Sequence, residues 1–418
     1  MPVDPEVGSL AKSQRSLLDA SITYPLWPPL TEGDPQHSSP TMQYPLEVAF
    51  DLGHPAAKRA FDDYQGRSMA GWQALLPPLA PGIDLGAGNT PLVDGRKVGS
   101  LLGFQADLYL KNESQNPTWS HKDRLNTCTV SAAVLSGARG VVVASSGNHG
   151  ASAAAFAARA GLRCIVLTSA GAPPAMFEFL RAYGACVLPV PTTARWPLMR
   201  EIVSRLQFHP LSNLTPSAHT GHPFGPEGYK TIAYECFQQL GRQVPAAVVV
   251  PCGYAELLFG IWKGFSELAE LGLADSTPKM FAAEPAVRAP LFRALTDGVD
   301  AAQVPARPTS ALSIGATVSG YRGVLALRMS GGASIPVTED HMHEAQAILA
   351  RAGLWQELSG AAGVGSLNSL DSSQINGPVV CILTSSGFKD GGPSGALPDE
   401  LPPTWAGIEG QLQRDGML

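Results

Sequence analysis

The chain has 418 residues, a formal net charge of −6 and 15% charged residues, with 44% hydrophobic residues, 44 Gly and 36 Pro. This composition excludes a disordered or fibrous chain and fits a turn-rich globular α/β protein large enough for two lobes. Lys and Arg are scattered rather than clustered, which argues against a nucleic-acid partner, because such surfaces need concentrated positive charge.

Six cysteines (Cys128, Cys164, Cys186, Cys236, Cys252 and Cys381) never form CxxC, so neither a zinc knuckle nor a redox pair is indicated; they read as buried small apolar residues. No run approaches the ~18 apolar residues of a membrane-spanning helix. The N-terminus also lacks the cationic start and apolar run of a secretory signal, so the expectation is a cytoplasmic protein with no membrane partner.

In chain order, residues 1–43 read as an N-terminal extension, polar and then rich in Pro, Ser and Gly, and partly flexible. A strand at 45–50 (PLEVAF) and a helix at 57–64 follow, and residues 44–84 are expected to pack on the core. From Gly86 onward, β-branched runs alternate with alanine-rich helical segments, the pattern of parallel βα units. Strands are expected at 141–145, 164–169, 185–190, 246–251, 280–285 and from 379, with helices at 150–160, 174–183 and 257–271. Thr338 reads as an N-cap, with Glu339 and Asp340 in a first turn where they favour the dipole of a helix reaching about Ala352.

Ligands of parallel sheets gather where strand carboxyl ends lead into helix N-termini. Three such loops stand out: SSGNHG (145–150), PCGYAEL (251–257) and TSSGFKD (384–390). In the first, Ser145, Ser146 and Gly147 suit a carboxylate and Asn148 a ring hydroxyl, although the same residues also make an ordinary helix cap. In the third, Thr384 and Ser385 offer neutral hydroxyls to a ring nitrogen, or form a plain strand-end turn. A fourth stretch, NPTWSHKDR (116–124), sets Lys122 near a helix start, where the dipole and a closed cleft lower an amine pKa and favour Schiff-base chemistry. By itself, a lysine beside Asp123 and Arg124 is ordinarily a solvated charge.

Taken together these segments resemble the threonine synthase branch of the fold type II pyridoxal-phosphate enzymes. LGAGNTPLV (85–93) is similar to the branch's LGEGxTPLV and NPTWSHKDR to NPTGSFKDR. SSGNHGAS, RAYGACV, EGYKT (227–231), VVVPCG and ILTSSGFKD follow in the family's order, and PLEVAFDL is similar to its opening strand, so the resemblance covers roughly residues 44 to 390. It implies an α/β fold of two lobes of parallel βα units with the cofactor in the cleft between them. The large pyridoxal-phosphate domain would take 85–120 and 241–390, the small mobile domain 121–240, and residues 391–418 would be a tail.

The resemblance further implies Lys122 as the Schiff-base lysine, Asn148 against the ring hydroxyl, Thr384 or Ser385 against the ring nitrogen, and Ser145, Ser146 and Gly147 on the substrate carboxylate. Gly253, Tyr254 and Ala255 would hold the cofactor phosphate, and Asn116 and Lys230 an anionic substrate tail. ELSGAAG (357–363) is similar to an EPSSAAA segment near the active-site floor.

Three departures stand out. The phosphate turn carries Glu256, which is expected to point away into the following helix. Trp119 and His121 precede Lys122, narrowing the floor under the cofactor. No cysteine precedes Cys128, so the zinc module of many relatives is absent and no metal is expected; the pairs His219/His222 and His341/His343 lack further ligands. The implied activity is a threonine synthase-type lyase that eliminates or replaces a side-chain group of a small amino acid, O-phosphorylated substrates included, in a homodimer. A serine/threonine ammonia-lyase or β-replacement synthase of the same fold is the alternative, and a catalytically inactive binding or regulatory homologue is the alternative of another class.

Overall fold

The computed structural model describes residues 8–66, 68–172, 174–215, 217–390 and 400–418. Its first strands are β1 (Ala11–Ser16), β2 (Thr23–Pro25), β3 (Leu46–Phe50), β4 (Leu92–Asp94) and β5 (Leu108–Asn112). Then come β6 (Gly140–Ala144), β7 (Arg163–Thr168), β8 (Cys186–Pro189), β9 (His209–Pro210), β10 (Ala247–Pro251), β11 (Lys279–Pro285), β12 (Ala333–Val337) and β13 (Val379–Leu383).

A six-stranded sheet runs β12-β11-β10-β13-β5-β4, parallel except for the antiparallel β4, and a four-stranded parallel sheet runs β8-β7-β6-β9. Every residue of β10 and β13 is buried, which is why these strands read as unbroken apolar runs: helices cover both faces. The strands of the larger sheet fall within 85–120 and 241–390, and those of the smaller within 121–240.

Three helices pack where the two sheets meet, Lys122–Leu135, Gly225–Gln239 and Glu256–Glu270. They approach closely because glycines stand at the crossings: a Cβ at Gly228 would collide with the Arg124 carbonyl, and one at Gly264 with the Lys230 carbonyl. A buried ionic network pins the first of them to the larger sheet. Arg124 meets Glu113 at 2.7 Å and Glu235 at 2.6 Å, while Lys111 on β5 meets Glu235 at 2.7 Å, all with side chains 0% exposed. Removing one partner from such a network strands a buried charge, so it constrains where this helix can begin.

Two expectations are corrected. Within the expected extension (1–43), residues 11–16 and 23–25 are strands that add to the expected PLEVAF strand, giving a three-stranded antiparallel sheet in the order β2-β1-β3. Its cohesion is polar: Gln14, fully buried, donates to the Pro25 and Pro28 carbonyls at 2.8 and 3.0 Å, and buried Asp34 accepts from Tyr24 and pairs with His37 at 2.7 Å. Polar side chains satisfied internally leave no apolar periodicity to read. Among the cysteines, Cys186 is exposed, because it opens β8 at the edge of the smaller sheet. Of the expected tail, 391–399 lie outside the described residues; beyond them, Trp405–Arg414 is helical, with no buried residue.

Candidate active site

The carboxyl ends of β5, β13 and β10 lie side by side on the larger sheet, and the end of β6 brings in its loop from the smaller one. Lys122 is the first residue of the Lys122–Leu135 helix. The turn before it is fastened to the end of β13: His121 N–H donates to the Thr384 carbonyl at 3.0 Å, Ser386 N–H to the Trp119 carbonyl at 3.1 Å, and Ser385 Oγ to the same carbonyl at 3.0 Å. Trp119 makes the sharp reversal with φ of 61°. Burial lowers the Lys122 amine pKa, and the charges of Glu256 and Glu357 oppose that shift. Its Nζ lies 5.6 Å from the Tyr229 ring centroid.

Asn148 starts the Asn148–Arg159 helix and is a junction between lobes. Its Nδ2 donates to both Glu357 oxygens at 3.0 Å, and its Oδ1 accepts from Ser385 Oγ at 3.0 Å and Lys389 Nζ at 2.7 Å. The preceding residues form a tight loop in which Gly147 N–H donates to Ser145 Oγ at 3.2 Å. Ser146 Oγ accepts from Ser169 N–H at 3.0 Å and Arg195 Nη1 at 3.1 Å. The helix that follows has no side-chain cap, so its first N–H groups are offered to a ligand. Three polar atoms are buried nearby without a hydrogen-bond partner: Ser120 Oγ, His149 Nε2 and Tyr229 OH. Burial, and then the Lys122 charge, hold His149 well below the usual histidine pKa, so its ring is neutral.

The turn after β10 runs Gly253, Tyr254, Ala255. Ala255 takes φ of 61° and leaves the Glu256–Glu270 helix without a side-chain cap. Tyr254 stacks on His219, with ring centroids 4.0 Å apart and planes 7° apart. Gly253 faces Ser313 and Ile314. Glu256 does open the helix, where an acid suits the dipole, but its side chain does not turn away from the site. It is buried against Gly221, where an added Cβ would collide with its carboxylate oxygen, and it is the strongest charge acting on Lys122. The expectation failed because the packed helix N-terminus offers the side chain no solvent. Burial raises the Glu256 pKa, opposed by Lys122 and Arg322.

Asn148 is bonded to Ser385, the turn before Lys122 is bonded to Thr384, and the 145–147 loop leads directly into Asn148. Two expected residues are engaged elsewhere. Asn116 donates to the Glu113 carbonyl and carboxylate at 2.8 and 2.9 Å and accepts from Gly88 N–H at 2.9 Å. Lys230 is fully buried between Glu227 at 3.0 Å and Glu267 at 2.9 Å, with its Nζ 3.5 Å from the Phe50 ring centroid. Both are structural because the interface helices bury the polar faces of EGYKT and NPT. Trp119 is 43% exposed and meets Phe179 edge-on at 5.6 Å, so it sits at the rim rather than under a ligand. Glu357, Lys389, Arg195, Glu256 and His149 join the site without having been singled out as site residues. Glu357 and Lys389 stand in the ELSGAAG and GFKD segments that carry the family resemblance; nothing in the sequence links Arg195 to Ser146. Among the described residues no group of three His, Cys, Asp or Glu is placed to hold a metal.

Residues 83–385 match the family described as pyridoxal-phosphate dependent enzymes. A threonine synthase of Methanocaldococcus jannaschii is 36% identical over 360 residues, covering 82% of this chain and 87% of its own length. A threonine synthase of Synechocystis sp. is 34% identical, covering 80% of this chain and 85% of its own length. Among solved structures, a fungal L-serine ammonia-lyase from Rhizomucor miehei matches with a TM-score of 0.62 at 21% identity, over 71% of this chain and 93% of its own. Maize serine racemase matches with a TM-score of 0.61 at 18% identity, over 78% of this chain and 93% of its own. These two likenesses carry the fold.

Proposed function

The chain belongs to the pyridoxal-phosphate dependent enzymes, as a lyase similar to the threonine synthases, and on that premise we propose that Lys122 attaches the cofactor and serves elimination or replacement at the side chain of a small amino acid. The observation that carries this reading is a desolvated amine at the seam of the two lobes, surrounded by buried polar atoms that lack partners. When bound, the cofactor supplies an electron sink for charge at the substrate Cα.

The residues fit that group. The uncapped N–H groups behind Ala255, on a helix of 15 residues, are donors for a phosphate, with Gly253, Tyr254 and Ala255 forming the turn. Asn148 Nδ2, now shared between the Glu357 oxygens, is the donor available to a ring oxygen. Thr384, with Ser385 beside it, presents a neutral hydroxyl to a ring nitrogen. Ser145, Ser146 and Gly147, ahead of the uncapped Asn148 helix, receive the substrate carboxylate. Once free of the cofactor, the Lys122 amine is the base and acid at Cα and Cβ, and burial keeps more of it neutral at a given pH. His149 has a buried ring nitrogen without a hydrogen-bond partner near the same amine and can make one hydrogen bond there, while burial and the Lys122 charge disfavour its taking up a proton.

A small amino acid remains the partner of choice, and the net charge of −6 supports no nucleic-acid partner. No helix among the described residues is long and apolar enough to cross a membrane. All six cysteines are free, which supports a reducing cytoplasm. The homodimer reading is checked by light scattering.

The test is uptake of pyridoxal phosphate followed by absorbance, borohydride reduction and peptide mass mapping. Wild type is expected to turn yellow and to carry the reduced adduct on Lys122; Lys122→Ala is expected to carry none. A colourless wild type would sink the reading. O-phosphohomoserine, O-phosphoserine, threonine and serine then separate the chemistries through released phosphate, ammonia or keto acid, and ammonia alone identifies an ammonia-lyase instead.

A further inference from the structure

An acid stands in the turn proposed for the cofactor phosphate, and a buried cation stands beside it. Arg322, the second residue of the Tyr321–Ser330 helix, is 2% exposed. Its Nη2 donates to the Leu46 carbonyl at 2.6 Å, but Nε and Nη1 are buried without a hydrogen-bond partner. The guanidinium carbon lies 5.7 Å from the Phe259 ring centroid, one turn along the helix from Glu256. The next residue, Gly323, is packed so tightly on the same turn that a Cβ there would lie 2.7 Å from Ala255 Cβ. The two unpartnered donors therefore sit against the first turn of the Glu256–Glu270 helix, whose own N–H groups also lack a side-chain cap.

Each feature is unfavourable alone. A guanidinium in the interior with two unmade hydrogen bonds is costly, and so is a carboxylate held out of water against Gly221. A carboxylate at that helix end would also repel a phosphate docking on the same N–H groups. Together they make sense, because the Arg322 charge acts on Glu256 and that of Glu256 is the strongest charge acting on Arg322.

We propose that Arg322 is a positioning residue for the cofactor phosphate that acts through Glu256: it neutralises the Glu256 carboxylate and draws it onto its free N–H donors, leaving the helix N-terminus open to the anion. This rests on the cofactor reading above and explains how this chain keeps an acid in a phosphate turn.

The experiment is a double-mutant cycle on pyridoxal-phosphate affinity, read as the dissociation constant from absorbance and fluorescence titration of wild type, Arg322→Met, Arg322→Lys, Glu256→Gln and Glu256→Gln/Arg322→Met. Loss of one partner of a buried charge pair predicts that Arg322→Met raises the dissociation constant by about 30-fold or more. Glu256→Gln removes the charge that needs compensation, so the double variant is expected within about threefold of Glu256→Gln alone, the range of ordinary additivity. Arg322→Lys is expected to recover part of the loss. Equal weakening by Arg322→Met in both backgrounds overturns the proposal, since a residue that contacts the phosphate itself or merely props the fold gives that result. No effect of Arg322→Met overturns it as well. If Arg322→Met does not fold, the comparison of the double variant with Glu256→Gln decides alone, and a large loss between them is the overturning result. Failure of the cofactor reading is recognised separately, because wild type then takes up no cofactor; a failed cycle with normal wild-type uptake removes only the role of Arg322.

Discussion

Gly221→Ala probes the packing of Glu256 in a way that can be worked from the structure. Gly221 has φ of 61°, and a Cβ there would collide with a Glu256 carboxylate oxygen and lie 3.2 Å from His219 Cε1. The left-handed backbone costs a residue with a side chain about 1–2 kcal/mol. Overpacking a filled interior costs about 1–3 kcal/mol more, so the substitution should lose about 2–5 kcal/mol in total. In a Glu256→Ala background the collision with the carboxylate is gone, and the loss should fall toward the backbone part of about 1–2 kcal/mol, with the closer approach to His219 as the remainder. Urea unfolding of the four proteins, followed by circular dichroism and tryptophan fluorescence, gives the midpoints and slopes needed to compare them. The same loss in both backgrounds would refute the placement of Glu256 against Gly221, and with it the reason this acid stays in the cleft.

Two further outcomes follow from the charges around Lys122. Arg124→Leu leaves Glu113 and Glu235 buried without their guanidinium and should cost about 3–5 kcal/mol, read as a large fall in the unfolding midpoint; a change under about 1 kcal/mol would show that the network does not hold the helix. Burial depresses the Lys122 pKa, so the unfolded chain binds the proton more readily and, in the cofactor-free protein, this residue opposes folding most strongly at low and neutral pH. Lys122→Met is therefore expected to raise cofactor-free stability at neutral pH, by an amount that shrinks as pH climbs toward the ordinary lysine value of 10.5. A stability gain that grew with pH in thermal melts would contradict a desolvated amine.

Much of the site was legible because its chemistry lies in short loops at strand ends. SSGN and TSSG follow apolar runs that read as buried strands, and the lysine turn leads straight into a helix, so local pattern sets Ser145 and Asn148 at the carboxyl end of one strand, Thr384 at that of another and Lys122 at a helix start, although the two strands belong to different sheets. Roles that depend on the other face of a helix were not legible. Lys230 and Asn116 carry the right chemistry for an anion, yet Glu227, Glu267 and Glu113 claim them. The two strands that precede PLEVAF in the N-terminal sheet are not legible for a related reason: Gln14 and Asp34 hold them through buried hydrogen bonds, which leave no apolar periodicity.

The sequence by itself determined the βα alternation, the lysine at a helix start and the order of the ligand loops, since these follow from backbone propensity and from apolar runs a few residues long. Only the tertiary structure decided which distant polar side chains come together. Arg322 lies 66 positions beyond Glu256 and Arg195 lies 49 beyond Ser146, and no local rule connects them. Arg195 reaches Ser146 within the smaller lobe, and Gly323 packs the turn that carries Arg322 against Ala255, beside Glu256. That close packing removes water, and without water a misplaced charge must find a partner within the fold.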